Sequence, residues 1–259
     1  MPIANVNDIS LHYQLDGDAS LPCVVLSNSL GTDLSMWEPQ AAQLARHYRV
    51  LRYDTRGHGQ SSGAVGSATL AQLGQDVVAL LDHLGIGQAH FCGISMGGMT
   101  GQWLGVHAAG RFGKLVLANT AARIGTEEGW SSRAALVRSE GMDKVADGAA
   151  ERWFTADFIA ANPEVVERMV ATLRGQSAEG YAACCDALAV ADLREQVASI
   201  PNQTLVVAGE HDPVTTVDDG HWMRERIPNA QLLSLPASHI SNIEAADGFT
   251  AALLRFLAA

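Results

Sequence analysis

Residues 91–99 read Phe-Cys-Gly-Ile-Ser-Met-Gly-Gly-Met, and they carry the strongest single indication of the fold. Its serine, Ser95, stands between glycines at 93 and 97, after an apolar run and before a stretch rich in small residues. Gly-x-Ser-x-Gly in that setting is typical of a sharp turn from a strand into a helix, which exposes a serine nucleophile at a sheet edge. Gly98 and Gly101 each destabilise a helix by about 1 kcal/mol relative to alanine, so their presence needs a reason. Because glycine has no side chain, we expect this helix to lie close to the sheet. An ordinary glycine-rich turn is the alternative.

Strand-like and helix-like stretches alternate on both sides of this turn. Residues 70–84 carry apolar side chains at helical spacing, and so do residues 249–257. The short apolar runs that we predict to be strands are 9–13, 23–26, 50–53, 90–92, 115–117, 205–208 and 232–235, with a hairpin turn at Asn7-Asp8 before the first. Such alternation predicts an α/β fold with a mostly parallel sheet flanked by helices.

The alternation stops between residues 123 and 188. This stretch has no convincing strand and is rich in alanine, glutamate, arginine and tryptophan. We therefore predict that residues 1–122 and 189–259 form the α/β core, and that residues 123–188 form a helical cap inserted between two strands of the sheet.

The composition excludes several classes of protein. Of the 259 residues, 47% are apolar and 17% are charged, which supplies a packed core. A formal net charge of −11 repels phosphate backbones and anionic lipids, so we expect neither a nucleic-acid partner nor a membrane. Residues 1–6 lack the basic and apolar regions of a signal peptide, and the four cysteines show neither a disulfide framework nor metal-ligand spacing. We predict a cytoplasmic protein without a metal or cofactor.

A serine nucleophile needs a base, and the base needs an orienting acid. Loops that follow parallel strands meet at one edge of the sheet, the edge on which we place Ser95. His239 lies in the loop after the 232–235 run, and Asp212 lies in the loop after the 205–208 run. Glu210 is the alternative acid. The preceding strand is followed by Asn119, which cannot serve as an acid.

Ser95, Asp212 and His239, in this chain order and on this alternation, resemble the α/β-hydrolase family over the full length of the chain. The resemblance implies an eight-stranded sheet and a base that lies downstream of the serine. His107 also lies downstream, but in the helix that follows the serine turn, where it points away from the site.

Residues 25–31 resemble the oxyanion loop of that family, with Asn28-Ser29 in place of its usual His-Gly pair. The resemblance implies that the backbone N–H groups of Leu30 and Met96 bind the oxyanion. Residues 53–61 are similar to the loop after the next strand, which implies a structural role for Arg56 and His58.

Among subfamilies, the match is closest to the 3-oxoadipate enol-lactonases of bacterial aromatic catabolism. The stretches that carry this resemblance are 26–33, 93–104 and 130–133. It implies a carboxylic ester hydrolase of the β-ketoadipate pathway, which opens a small lactone bearing a carboxylate through a Ser-His-Asp acyl-enzyme mechanism.

A carboxylate on the substrate requires a local cation, because the net charge of −11 cannot attract it from a distance. Arg133 is our first candidate, since Trp130 lies three residues before it and would share its helix face. Arg138 is the second candidate, and Trp153 is a further expected contact. The alternative is that Arg133 is a solvated residue paired with a nearby glutamate.

Other functions stay open at this point. Carbon–carbon bond hydrolases of ring-cleavage products and general esterases or perhydrolases use the same serine chemistry, and a hydrolase-fold receptor would bind a small ligand with little turnover. Residues 57–63 do not fit a dinucleotide-binding loop, because Ser62 occupies the place of the third glycine. The sequence also leaves open whether the chain forms a homo-oligomer.

Overall fold

The computed structural model describes residues 2–63, 66 and 68–259. One eight-stranded sheet has the strand order β1-β2-β4-β3-β5-β6-β7-β8, and all its pairs are parallel except β1–β2 and β2–β4. The strands are β1 (Ile3–Val6), β2 (Ile9–Asp16), β3 (Cys23–Ser27), β4 (Arg49–Tyr53), β5 (Ala89–Ile94), β6 (Phe112–Ala118), β7 (Gln203–Gly209) and β8 (Ala230–Leu235). The predicted fold class is confirmed.

Strands β1 and β2 form the predicted hairpin. Asn7 and Asp8 connect them with φ angles of 46° and 62°. Two residues at positive φ form the kind of turn whose twist matches that of the flanking strands, and asparagine and aspartate tolerate this conformation better than most residues.

Helices cover the sheet, and for this reason its central strands are largely buried. All five residues of β3 are buried. Helix α1 packs against α12, and α2 packs against α3. The helices of the core are α1 (Glu38–Leu44), α2 (Leu70–His83), α3 (Met96–His107), α10 (Val217–Arg226), α11 (Ser241–Glu244) and α12 (Ala246–Ala258).

Six helices lie between β6 and β7, in the stretch predicted to lack strands. They are α4 (Glu127–Glu140), α5 (Asp143–Asp147), α6 (Ala149–Trp153), α7 (Ala156–Ala161), α8 (Pro163–Arg174) and α9 (Ala178–Val190), and we call them the cap. Helices α4 and α9 pack along each other. Helix α9 continues two residues beyond the predicted boundary at 188, and the division into two domains stays a prediction.

The cap touches the core through two glycines. A Cβ atom on Gly180, in α9, would lie 2.1 Å from the carbonyl oxygen of Gly57, in the loop after β4. A Cβ atom on Gly57, which has a φ of +73°, would lie 2.6 Å from the Cα of Gly180. Gln176 adds a hydrogen bond, accepting the backbone N–H of Gly59 at 2.8 Å. The absence of side chains at 57 and 180 therefore allows backbone to pack on backbone.

Two residues of the loop after β4 are buried, in keeping with the structural role implied for them. The guanidinium of Arg56 forms a two-pronged ion pair with Asp76 of α2, at 2.6 and 2.7 Å. The imidazole of His58 lies with its ring centre 6.3 Å from that of Tyr181 in the cap.

Within the described ranges, the helices are too short or too polar to cross a membrane.

Candidate active site

Ser95 occupies a strained turn between β5 and α3, with a φ of 58° and a ψ of −116°. A non-glycine residue at positive φ costs about 1–3 kcal/mol and persists only where the surroundings enforce it. A Cβ atom on Gly93 would lie 2.1 Å from the carbonyl oxygen of Gly97, and one on Gly97 would lie 2.3 Å from that of Ser27. The two glycines of the motif are therefore required for the turn to close.

The structure brings together the three predicted residues of the triad. The Oγ of Ser95 lies 2.9 Å from Nε2 of His239, and Nδ1 of His239 lies 2.8 Å from Oδ2 of Asp212. The three residues follow β5, β8 and β7, and each is less than a tenth exposed. Nucleophile, base and acid thus form a hydrogen-bonded chain of the kind that activates a serine.

Asp212 is held as a carboxylate by its surroundings. Besides His239, the donors to its oxygens are the N–H of Val214 at 2.8 Å, the N–H and hydroxyl of Thr215 at 3.0 and 2.8 Å, and the amide of Asn119 at 3.0 Å. Burial raises the pKa of the Asp212 carboxyl, but His239 and these hydrogen bonds together bring the pKa below its usual value. Glu210 is exposed, and within the described chain it makes no hydrogen bond to His239.

The two expected oxyanion donors belong to the surroundings of Ser95, because Met96 follows it directly in the chain and Leu30 lines the same cavity. The N–H of Gly97 donates to the carbonyl of Asn28 at 3.1 Å, which joins the start of α3 to the 25–31 loop. Within the part of the chain that the structure describes, the N–H groups of Leu30 and Met96 have no acceptor. Such a pair of free donors can bind an oxyanion.

Asn28 supports this loop where the family usually has histidine. Its amide nitrogen donates to the carbonyl of Tyr53 at 2.8 Å, and its amide oxygen accepts the indole N–H of Trp37 at 3.0 Å. The replacement therefore keeps the loop fixed by side-chain hydrogen bonds.

A cavity of about 420 Å³ opens over Ser95 and His239. The cap supplies its far wall, which includes Trp130, Arg133 and Trp153. The guanidinium carbon of Arg133 lies 4.9 Å from the centre of the Trp130 ring, as expected for residues three apart on one helix. The structure thus places three of the four predicted substrate-binding residues at the cavity.

Arg138 is the exception, and its placement corrects our expectation. Its guanidinium forms ion pairs with Glu179 at 3.2 Å and with Asp186 at 2.7 Å, both on α9, and it does not line the cavity. Five residues along a helix correspond to a rotation of about 140°, so Arg138 cannot share the face of Arg133.

Arg152 is a cavity residue that the sequence analysis missed. It lies on α6, immediately before Trp153, and donates to the carbonyl of Val145 at 2.7 Å. Burial and the nearby Arg133 lower the pKa of Arg152. An arginine side chain nevertheless stays protonated in proteins at neutral pH. Across residues 2–63, 66 and 68–259, neither Arg133 nor Arg152 forms an ion pair with an acidic side chain. The cavity therefore holds two positive charges without a counter-ion.

Metal chemistry has no visible site in the described residues. No group of three or more histidine, cysteine, aspartate or glutamate side chains there could hold a metal ion. The four cysteines are buried and free.

A serine-histidine-aspartate chain at the carboxyl edge of this sheet defines a hydrolase, and residues 24–252 match the model of the Alpha/beta hydrolase family. The chain belongs to that family. It is 53% identical to 3-oxoadipate enol-lactonase 2 of Acinetobacter baylyi, over 95% of this chain and 92% of that protein. Its identity to 3-oxoadipate enol-lactonase 1 of the same organism is 47%, over 95% of this chain and 92% of that one. The crystal structure of the enol-lactonase from Burkholderia xenovorans LB400 superimposes with a TM-score of 0.98, at 48% identity and with 100% of both chains covered.

Proposed function

We propose that this protein is a cofactor-free 3-oxoadipate enol-lactonase, which opens the lactone ring to give 3-oxoadipate. The observation that carries the proposal is the pair of uncompensated guanidiniums, Arg133 and Arg152, in the cavity above Ser95. A small lactone with one carboxylate meets both features at once, since its ring carbonyl needs the serine and its anion needs the arginines. The similarity to two enol-lactonases over 95% of the chain supports the same substrate.

The first half of the reaction forms an acyl-enzyme. The Oγ of Ser95 attacks the ring carbonyl carbon while Nε2 of His239 takes the hydroxyl proton. The carbonyl oxygen becomes an oxyanion, which accepts hydrogen bonds from the N–H groups of Leu30 and Met96. Each such donor stabilises the transition state by about 3–4 kcal/mol. Collapse breaks the ring C–O bond, and His239 gives its proton to the departing enol oxygen. The enol then becomes a ketone by tautomerisation.

The second half releases the product. His239 takes a proton from water as the water oxygen attacks the acyl carbon, and the same two N–H groups bind the second oxyanion. Collapse breaks the bond to Ser95, whose Oγ recovers the proton from His239. Asp212 keeps the imidazole in the required tautomer and stabilises its charged form. The product carries a second carboxylate, which is formed beside Ser95.

The cap selects the substrate in this proposal. Trp130 and Trp153 give the ring an apolar wall, and the arginines bind the carboxylate. The net charge of −11 opposes the approach of an anion, so the arginines act only at short range. We place the protein in the cytoplasm, which its four free, buried cysteines support.

The test is a comparison of three substrates with the purified protein: 3-oxoadipate enol-lactone, p-nitrophenyl acetate and a diketone from aromatic ring cleavage. We expect kcat/KM to be at least about a hundredfold higher for the lactone than for the other two, because only the lactone uses the arginines and the strained ring together. Preference for the diketone would identify a carbon–carbon bond hydrolase. Binding without turnover of any of the three would identify a receptor.

A further inference from the structure

One carboxylate connects the loop of the proposed base to the cap. Glu244, at the end of α11, accepts the N–H of Ser238 on Oε2 at 2.7 Å. Its other oxygen, Oε1, accepts the N–H of Thr155 at 3.1 Å and also the hydroxyl of Thr155. Ser238 immediately precedes His239, and Thr155 is the N-cap residue of α7 in the cap. Glu244 therefore bridges two segments that are more than eighty residues apart in the chain.

A second link joins the same two segments on the other side of His239. The N–H of Ile240 donates to the carbonyl of Trp153 at 3.1 Å. The residues before and after His239, Ser238 and Ile240, are thus both connected to residues 153–155, which we call the cap junction. The side chain of Trp153 lines the cavity, so the cap junction also reaches the substrate.

Loops are the mobile parts of a fold, and His239 lies on one. Proton transfer from Ser95 needs its Oγ within hydrogen-bonding reach of Nε2, and errors of about 1 Å can cost a hundredfold in rate. Hydrogen bonds to a carboxylate are about twice as strong as neutral ones, so Glu244 is suited to holding this loop. Glu244 does not line the cavity, which leaves it no contact with substrate.

We propose that Glu244 is a positioning residue: it ties the His239 loop to the cap junction, so that the seating of the cap over the substrate and the placement of the base depend on each other. This inference rests on the proposed function only in taking His239 as the base. It adds a residue to the working site that neither contacts the reacting atoms nor belongs to the triad.

The experiment compares Glu244→Ala with Asp247→Asn, a matched control that neutralises an exposed acid three residues further on. We expect kcat of Glu244→Ala to fall about tenfold on both the lactone and p-nitrophenyl acetate, because the base is misplaced. KM should stay within twofold, because the direct link between Ile240 and Trp153 still holds the cavity wall. The control should keep both constants within twofold.

A spectroscopic measurement separates positioning from general stability. We expect the proton between Nδ1 of His239 and Asp212, which lie 2.8 Å apart, to give a ¹H resonance far downfield of the amide region. We expect this resonance to broaden or disappear in Glu244→Ala and to stay sharp in the control. The resonance requires no substrate, so it tests this inference even if the enol-lactone is not turned over. A sharp resonance with kcat within twofold of wild type would overturn the proposal.

Two further variants cover the case in which Glu244→Ala does not fold. Glu244→Gln keeps one oxygen acceptor and should lower kcat by a smaller factor of about threefold to fivefold. Thr155→Val removes the hydroxyl that donates to Glu244, and with it the N-cap hydrogen bond that this hydroxyl accepts from the N–H of Phe158. We expect kcat to fall about threefold and the downfield resonance to weaken. Wild-type kcat and a sharp resonance in both variants would also overturn the proposal.

Discussion

The cavity has two walls that differ in how completely their charges are compensated. On the core side, the carboxylate of Asp212 accepts five hydrogen bonds, including the one from His239. On the cap side, Arg133 and Arg152 carry positive charges with no acidic partner in the described residues. The core wall is complete before a substrate arrives, whereas the cap wall lacks an anion. The difference supports our proposal that the core supplies the chemistry and that the cap selects the substrate.

The physical origin of this difference is the sheet. The carboxyl ends of β5, β7 and β8 bring their loops to one edge, where short contacts fix each polar group of the triad. The cap is built from separate helices, and its Arg133 and Arg152 line the cavity without an acidic partner in the described residues. The comparison can be tested by changing each wall in turn.

Ser95→Ala should have the largest effect, because it removes the nucleophile from a wall that is otherwise complete. We expect kcat to fall by about 10⁴-fold or more on every substrate, since the members of a triad act as a unit. The circular dichroism spectrum and the melting temperature should stay near those of the wild type. A variant that keeps a tenth of the wild-type rate would show that the nucleophile lies elsewhere.

Asp212→Asn should come next. The amide cannot hold the imidazole in the required tautomer, so we expect kcat to fall by about 10³- to 10⁴-fold. Glu210→Gln is the control on the same loop, and it should lower kcat by less than tenfold. The reverse ranking in steady-state assays would assign the acid to Glu210.

Arg133→Met changes only the cap wall and should therefore discriminate between substrates. We expect kcat/KM to fall about thirtyfold for the anionic lactone, which corresponds to about 2 kcal/mol, and to change little for p-nitrophenyl acetate. Arg138→Met is the control on the same helix and should leave both values within twofold. Equal losses on the two substrates would point to damaged folding, and no loss on either would exclude Arg133 as the carboxylate-binding residue.

The smallest expected effect concerns the contact between the two regions. Burial lowers the pKa of His58 below 6.5, and the Arg56 carbonyl and Asp54, which raise it, do not outweigh burial. Below pH 6.5 the unfolded chain therefore binds a proton at this position that the folded chain does not, so this histidine makes stability decrease as the pH falls.

The measurement is the free energy of unfolding in urea between pH 7 and 5 for wild type and His58→Gln. The variant should show a shallower decrease across this range, whatever its absolute stability. Identical slopes would show that His58 takes up its proton equally in both states.

Much of the core wall could be predicted from the sequence because its signals are local. The motif at 93–97 fixes the turn, and Asp212 and His239 each follow a recognisable strand run. Parallel strands then bring the three together without further information. The cap is harder to predict, because which helix faces meet depends on contacts between distant segments.

Three residues show where that limit falls. Arg133 could be predicted because Trp130 shares its helix face. Arg138 lies on another face of the same helix, where it pairs with Glu179 and Asp186 of α9. Arg152 was missed because it lies on α6, a helix of five residues that is too short to show periodicity. Even so, Trp153 beside it was predicted, and a basic residue next to an expected cavity tryptophan was the signal available.

The contact between Gly57 and Gly180 sets a condition for enzyme engineering. Transplanting a cap from another hydrolase is an obvious way to give this catalytic core a new substrate range. The graft would seat correctly only if the donor cap also lacks a side chain at the position of Gly180, because the incoming Cβ would meet a carbonyl oxygen at 2.1 Å. Chimeras that keep both glycines should therefore seat the new cap over the cavity. In those that lose either glycine, the clash would push the cap away from the core.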